Sequence, residues 1–146
     1  MKNLPTQNDR EQTVKEIANN LSQFSGTGAY YRYSPLFPFL LLTDGTRYLV
    51  EACNCYWLID LIASMQRDPL IRDHKKLQAI QFWKLTVNAE QSATVTCEWD
   101  SEQTVYAQNI EYTDFPLSEA RIWIQPYYSS PSDKNKKLVA HLPSEY

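Results

Sequence analysis

Apolar residues recur at steps of three and four early in the chain and at steps of two late in it, with the change near Ala79. The period predicts helices first and strands afterwards. In the opening segment Val14, Ile17, Leu21 and Phe24 fall on one helical stripe, and Asn8 followed by Glu11 has the spacing of a capping box. Ser25-Gly26 ends this helix. Arg10, Lys15, Glu16 and Asn20 lie off the stripe, so the helix is expected to lay its apolar side on a sheet.

The middle of the chain is read from its turn residues. Pro35 and Pro38 cannot donate ladder hydrogen bonds, so the stretch between them suits a loop or a strand entry. Asp44-Gly45 has the composition of a tight turn, which predicts a hairpin with arms at residues 40–43 and 46–52. In the second arm Tyr48, Val50 and Ala52 then share one face, with Leu49, Glu51 and Cys53 on the other. Asn54 serves as N-cap of a helix over residues 55–66, whose Trp57, Leu58, Leu61, Ile62 and Met65 form a broad apolar arc. Asp68-Pro69 breaks it.

From Ala79 onward, strands are predicted at residues 80–87, 93–99, 104–112 and 120–125, joined by polar links. The second alternates most cleanly, with Ala93, Val95, Cys97 and Trp99 one way and Thr94, Thr96 and Glu98 the other. Short links imply an antiparallel meander. The last stretch, rich in Pro, Ser and Lys, is expected to be irregular apart from a short strand at residues 138–141. The fold class is therefore α+β: two helices of the N-terminal half on a mostly antiparallel sheet, a hairpin plus a C-terminal meander. One domain is expected over residues 1–146, with irregular tails at 1–8 and about 129–146.

Composition narrows the function. A chain of 146 residues supports one core. Net charge of −3 leaves no broad cationic field, which disfavours nucleic acid and anionic membranes as partners. Residues 1–12 hold no apolar run and residues 56–65 are too short to span a bilayer, so a cytoplasmic protein is expected. Three cysteines, an odd number, fit a reducing compartment. With three glycines and no nucleotide-loop, zinc-protease or nucleophile-elbow motif, no cofactor and no metal are expected. A nucleophilic pairing of Cys55 with His74 or His141 has no orienting motif, and both histidines fall in stretches expected to be exposed.

Four groups of residues stand out against this background. Asp60 sits amid apolar neighbours, with Ser64 four residues on and Trp57 beside it, so it must be paired, solvent-facing or functional. Arg32, in the string Tyr30, Tyr31, Arg32, Tyr33, is a candidate partner. Asp44, Glu51 and Asp60 within one region raise an acid/base reading, although turn preference and strand alternation account for the first two. Trp123, on the side of its strand shared with Arg121 and Gln125, joins Tyr127, Tyr128 and the early tyrosines as aromatic surface in excess of one core face.

The strings LSQFSGTGAYYRY and LLTDGTRYLVEACNCYWLIDLIASMQ resemble a family of small bacterial proteins of unknown function. Its marks are LxQFxGT, a tyrosine-rich YYR segment, TDG, YLxE and AYWLxDxIAS. The resemblance covers residues 21–66 and departs at Cys55, where the pattern has Ala, which argues against an essential Cys55. It implies a bacterial cytoplasmic protein and draws attention to Gln23, Gly26, Tyr31, Arg32, Asp44, Gly45, Tyr56, Trp57 and Asp60, without assigning an activity.

The functional expectation is a non-enzymatic protein-interaction or small-ligand-binding domain, with an unknown protein or a second copy as partner. Its candidate surface comprises Tyr31, Arg32, Asp44, Glu51, Trp57, Asp60 and Trp123. The alternative is a small hydrolase or nuclease using Asp60 and Glu51; a weaker one is single-strand nucleic-acid binding on an aromatic sheet face.

Overall fold

The computed structural model describes residues 7–128 and 136–146; of the irregular tails expected at 1–8 and about 129–146, residues 1–6 and 129–135 lie outside the described residues. Helix α1 (Gln7–Leu21) leads to strands β1 (Tyr31–Ser34) and β2 (Phe37–Leu42), then to helices α2 (Asp44–Cys53), α3 (Tyr56–Met65) and the single turn α4 (Pro69–Arg72). Strands β3 (Gln81–Val87), β4 (Ala93–Glu98), β5 (Thr104–Ile110), β6 (Glu119–Tyr127) and β7 (Lys137–His141) follow, and a 3₁₀ turn at Pro143–Glu145 closes the chain. All seven strands form one sheet in the order β1-β2-β7-β6-β3-β4-β5. The α+β class and the mostly antiparallel sheet are as the sequence implied.

Two antiparallel units meet at β7. β1 and β2 form the hairpin, turning at Pro35-Leu36. β3, β4 and β5 form the meander, and β6 returns to pair with β3, a Greek-key arrangement. β7 is antiparallel to β6 and parallel to β2, with Leu40 opposite Leu138 and Leu42 opposite Ala140. Thus the expected short final strand is present, and the tail beyond Lys136 is central to the sheet.

The core follows from alternation. Trp83, Leu85, Val95, Cys97, Ile122 and Ile124 pack in one cluster with Leu49, Val50, Leu58, Ile59 and Ile62 of α2 and α3. Each large side chain fully buried there contributes roughly 1.5–3 kcal/mol of transfer free energy. α1 adds Ile17 to the cluster, with Leu21 and Phe24 packed at its margin. Phe82, Lys84, Thr94, Thr96, Arg121 and Trp123 point the other way, onto a face that carries no helix of the core.

Asp44-Gly45 does not turn a hairpin; it opens α2. Thr43 is the N-cap, and its hydroxyl accepts from the Thr46 N–H at 3.3 Å. Thr46, Leu49, Val50 and Cys53 are buried, the three-and-four spacing of a helix face. Asp44 and Gly45 thus occupy the first helical turn, and neither has a positive φ. Asn54 likewise is not the N-cap of α3. At φ 49° it is the left-handed C-cap of α2, a position Asn tolerates.

The start of α2 is closed by the far end of the chain. Glu145 accepts from the Gly45 N–H at 3.0 Å, the Thr43 hydroxyl at 2.6 Å and the Leu142 N–H at 2.9 Å. A carboxylate there is favoured by the helix dipole. A Cβ on Gly45 would lie 2.6 Å from Glu145 Oε1 and 2.7 Å from Leu142 Cδ1. Gly45→Ala is therefore expected to expel Glu145. Despite alanine's better helix propensity, the variant should lose about 1 kcal/mol in urea unfolding. The loss should shrink in a Glu145→Ala background, and an equal loss in both backgrounds would contradict this contact.

Candidate functional site

The first turn of α2 gathers several of the residues singled out in the sequence. Asp44 Oδ2 accepts from the Gly28 N–H at 2.7 Å and Oδ1 from the Tyr31 hydroxyl at 2.8 Å. The Asp44 N–H donates to Thr27 Oγ1 at 2.9 Å. The chain between α1 and β1 is thereby pinned to the start of α2. The Arg47 guanidinium lies 4.3 Å from the centre of the Tyr31 ring, and its Nε donates to Glu51 Oε1 at 3.1 Å. Glu51 is thus on a helix, not on the alternating strand first expected, and its ion pair is exposed. The Gly28 N–H, followed by the Tyr31 hydroxyl, holds the Asp44 carboxyl below the usual carboxylate range. A carboxylate so stabilised is a weak proton acceptor.

Asp60 belongs to a separate group. The Tyr33 hydroxyl donates to Asp60 Oδ1 at 2.6 Å, and the Tyr56 carbonyl lies 3.0 Å from the same hydroxyl. Burial, reinforced by the Asp60 carboxylate, pushes the Tyr33 phenol well above its ordinary value. Asp60 itself is exposed and Trp57 is half-buried at the margin of the core. Arg32 is not its partner. In an extended strand Tyr33 and Arg32 face opposite ways, and Arg32 is exposed on the sheet's edge strand opposite Leu41.

The cysteines are free and buried, and burial pushes the Cys53 thiol up to about 11 and those of Cys55 and Cys97 up to about 12. Cys55 is a packed thiol, with Sγ 3.8 Å from the Leu49 carbonyl. His141, expected in an exposed tail, is 6% exposed on β7, with Nδ1 2.9 Å from the Leu142 carbonyl and Nε2 2.6 Å from Gln125 Oε1. Among the described residues no three His, Cys, Asp or Glu side chains converge as metal ligands, and no helix is long and apolar enough to cross a membrane.

Trp123 lies elsewhere, on the helix-free face of the sheet. Its ring meets Phe82 edge-on at 4.9 Å and is flanked by His141 at 6.0 Å and Tyr146 at 5.6 Å. Register fixes the neighbours: Trp123, Phe82 and Glu98 form one cross-strand row, and Arg121, Lys84 and Thr96 form the next. A shallow cavity of about 450 Å³ is bordered by Phe82, Lys84, Arg121 and Trp123 and by Glu98, Asp100 and Glu102. Glu119 lies 3.5 Å from Lys84 and 3.6 Å from Arg121.

The candidates therefore split three ways. Tyr31, Asp44 and Glu51 meet through Arg47, Asp60 sits with Tyr33 near Trp57, and Trp123 stands on the helix-free face. Sequence reasoning passed over Arg47, whose i,i+4 spacing to Glu51 is a helical signal hidden by the strand reading. It also passed over Glu145, which no local pattern marks. Because the Asp44 carboxyl is lowered in the folded state, its stabilisation is present above the unfolded value and lost as pH falls through the folded one. Asp44→Asn is accordingly expected to be less stable than wild type in urea at about pH 7, with the gap closing below about pH 4. A gap that stays constant with pH would contradict an ionised anchor.

A family model described as a family of unknown function, DUF6876, matches residues 15–146. No curated protein matches the chain. No solved structure matches it either. The match runs through β7 and Glu145 as well as the tyrosine-rich segment and α2, and by it the chain belongs to family DUF6876.

Proposed function

We propose that the chain is a non-enzymatic protein-interaction domain of the bacterial cytoplasm that self-associates through the helix-free face of its sheet. The observation that carries this reading is the arrangement of charge on that face. Lys84 and Arg121 stand in the row next to the Phe82 and Trp123 pair, beside Glu119, while Glu98 ends the aromatic row and borders the same cavity with Asp100 and Glu102. A two-fold axis near the aromatic pair brings the cations of one copy to the acids of the other, the self-complementarity that an isologous dimer requires. Aromatic residues beside arginine supply the apolar centre and the charges supply register. Three free, buried cysteines suit a reducing compartment. The candidate carboxylates support binding over catalysis, since Asp44 and Asp60 sit in separate hydrogen-bond groups and Glu51 forms an exposed ion pair.

Sedimentation velocity across a concentration series tests this. The wild type is expected to reach twice the chain's mass, less readily at high salt because exposed charge pairs are screened. Arg121→Glu and Glu98→Lys should each weaken association at least fivefold, and the double variant should restore it. A monomer at every concentration, a dimer indifferent to both changes, or a monomer that binds only a different protein through this face would each overturn the proposal.

A further inference from the structure

A second cavity, of about 320 Å³, opens where the end of α3, the turn α4, the start of β3 and the start of β7 meet. Its lining combines Arg67, Arg72 and Lys136 with Gln66, Gln78 and Gln81 over an apolar floor of Phe39 and Leu138. No carboxylate is among those described residues. The size is at the lower end of small-molecule sites.

Its polar wall is fixed before any ligand arrives. Gln66 and Gln81 donate reciprocally to one another's carbonyl oxygens at 2.8 Å, and Trp83 Nε1 donates to Gln81 Oε1 at 2.8 Å. Gln78 is tied to the Ile71 carbonyl at 3.0 Å and accepts from Lys136 Nζ at 2.8 Å. With the amides satisfied internally, the donors left for a guest are the Arg67, Arg72 and Lys136 N–H groups that Leu36, Asp73 and Gln78 do not use. Arg67 lies over the rings of Phe37 and Phe39, 5.1 and 5.5 Å from their centres, and donates to the Leu36 carbonyl. Arg72 pairs with Asp73, and Asp68 accepts from the Leu70 N–H. Among the described residues neither Arg67 nor Lys136 has a salt bridge. Burial lowers the Lys136 ammonium from its ordinary value, as befits a cation drawn partly out of water.

We propose that this cavity binds a small organic anion, its carboxylate or phosphate held by Arg67, Arg72 and Lys136 and its apolar body laid on Phe39 and Leu138. Guanidinium forks match the paired oxygens of either head group, and the ammonium adds a point charge. The site lies apart from the helix-free face and stands whether or not the chain self-associates.

The test titrates the full chain with benzoate, phenyl phosphate, inorganic phosphate and neutral benzamide, following backbone and side-chain amide resonances of Gln66, Gln78 and Gln81. At least one of the two aromatic anions is expected to shift these signals and to bind at least tenfold more tightly than benzamide and than inorganic phosphate. Which aromatic anion binds more tightly identifies the head group. Lys136→Met should weaken that binding at least tenfold with unfolding unchanged, whereas Lys84→Met, on the other face, should leave it unaltered. The proposal is overturned by equal binding of anion and amide, by inorganic phosphate binding as tightly as the aromatic anions, by equal losses in the two lysine variants, or by no binding of any probe.

Discussion

The parallel pairing of β2 with β7 is the constraint on which the rest of the structure depends. It sets Leu40, Leu41 and Leu42 against Leu138, Val139 and Ala140, each 98 residues further along the chain. Without that pairing the β1–β2 hairpin has no link to the Greek key of β3 to β6 within the sheet. The Thr43 N–H carries the ladder one residue further, to the Ala140 carbonyl at 3.2 Å, and Thr46 Oγ1 donates to the same carbonyl at 2.9 Å. The helix that follows β2 therefore starts against β7, and from beyond that strand Glu145 accepts the Gly45 N–H and the Thr43 hydroxyl. Such long-range closure has an entropic cost before its contacts form.

Both proposed surfaces depend on β7 and the residues beside it. Lys136 and Leu138 form one wall of the cationic cavity, so that wall exists only when β7 is seated. At the other end of the strand, His141 and Tyr146 flank Trp123 and hold its ring on the helix-free face beside Phe82. The same strand thus joins the sheet, caps α2 and orders two surfaces of different chemistry. One is lined by both cations and carboxylates, and the other is wholly cationic in its charged lining.

Much of this was legible in the sequence where a signal repeats locally. The period of two in Ala93, Val95 and Cys97 gave β4, and the apolar arc of Leu58, Ile62 and Met65 gave α3. Asp44-Gly45 was misread because turn chemistry and helix-start chemistry use the same residues: Asp suits a turn and equally the first turn of a helix. The spacing of Thr46, Leu49, Val50 and Cys53 is the signal that distinguishes the helix from a hairpin arm. The place of β7 was not legible. Its five residues follow a stretch rich in Pro and Ser, and only tertiary pairing tells a central strand from an edge one. For the same reason Asp60 could be singled out as unusual while its partner was misassigned, since Tyr33 and Arg32 are neighbours in sequence and a strand sends them to opposite faces.

Amide hydrogen exchange of β7 in the intact protein tests this dependence most directly. If β7 is the strand that joins the two halves, its ladder amides should open only with global unfolding, together with those of the central strands β3 and β6, and the Thr43 amide should share that protection. Exchange of the β7 amides by local fraying, at rates well above those of β3, would show that the halves hold together without it and would contradict the account.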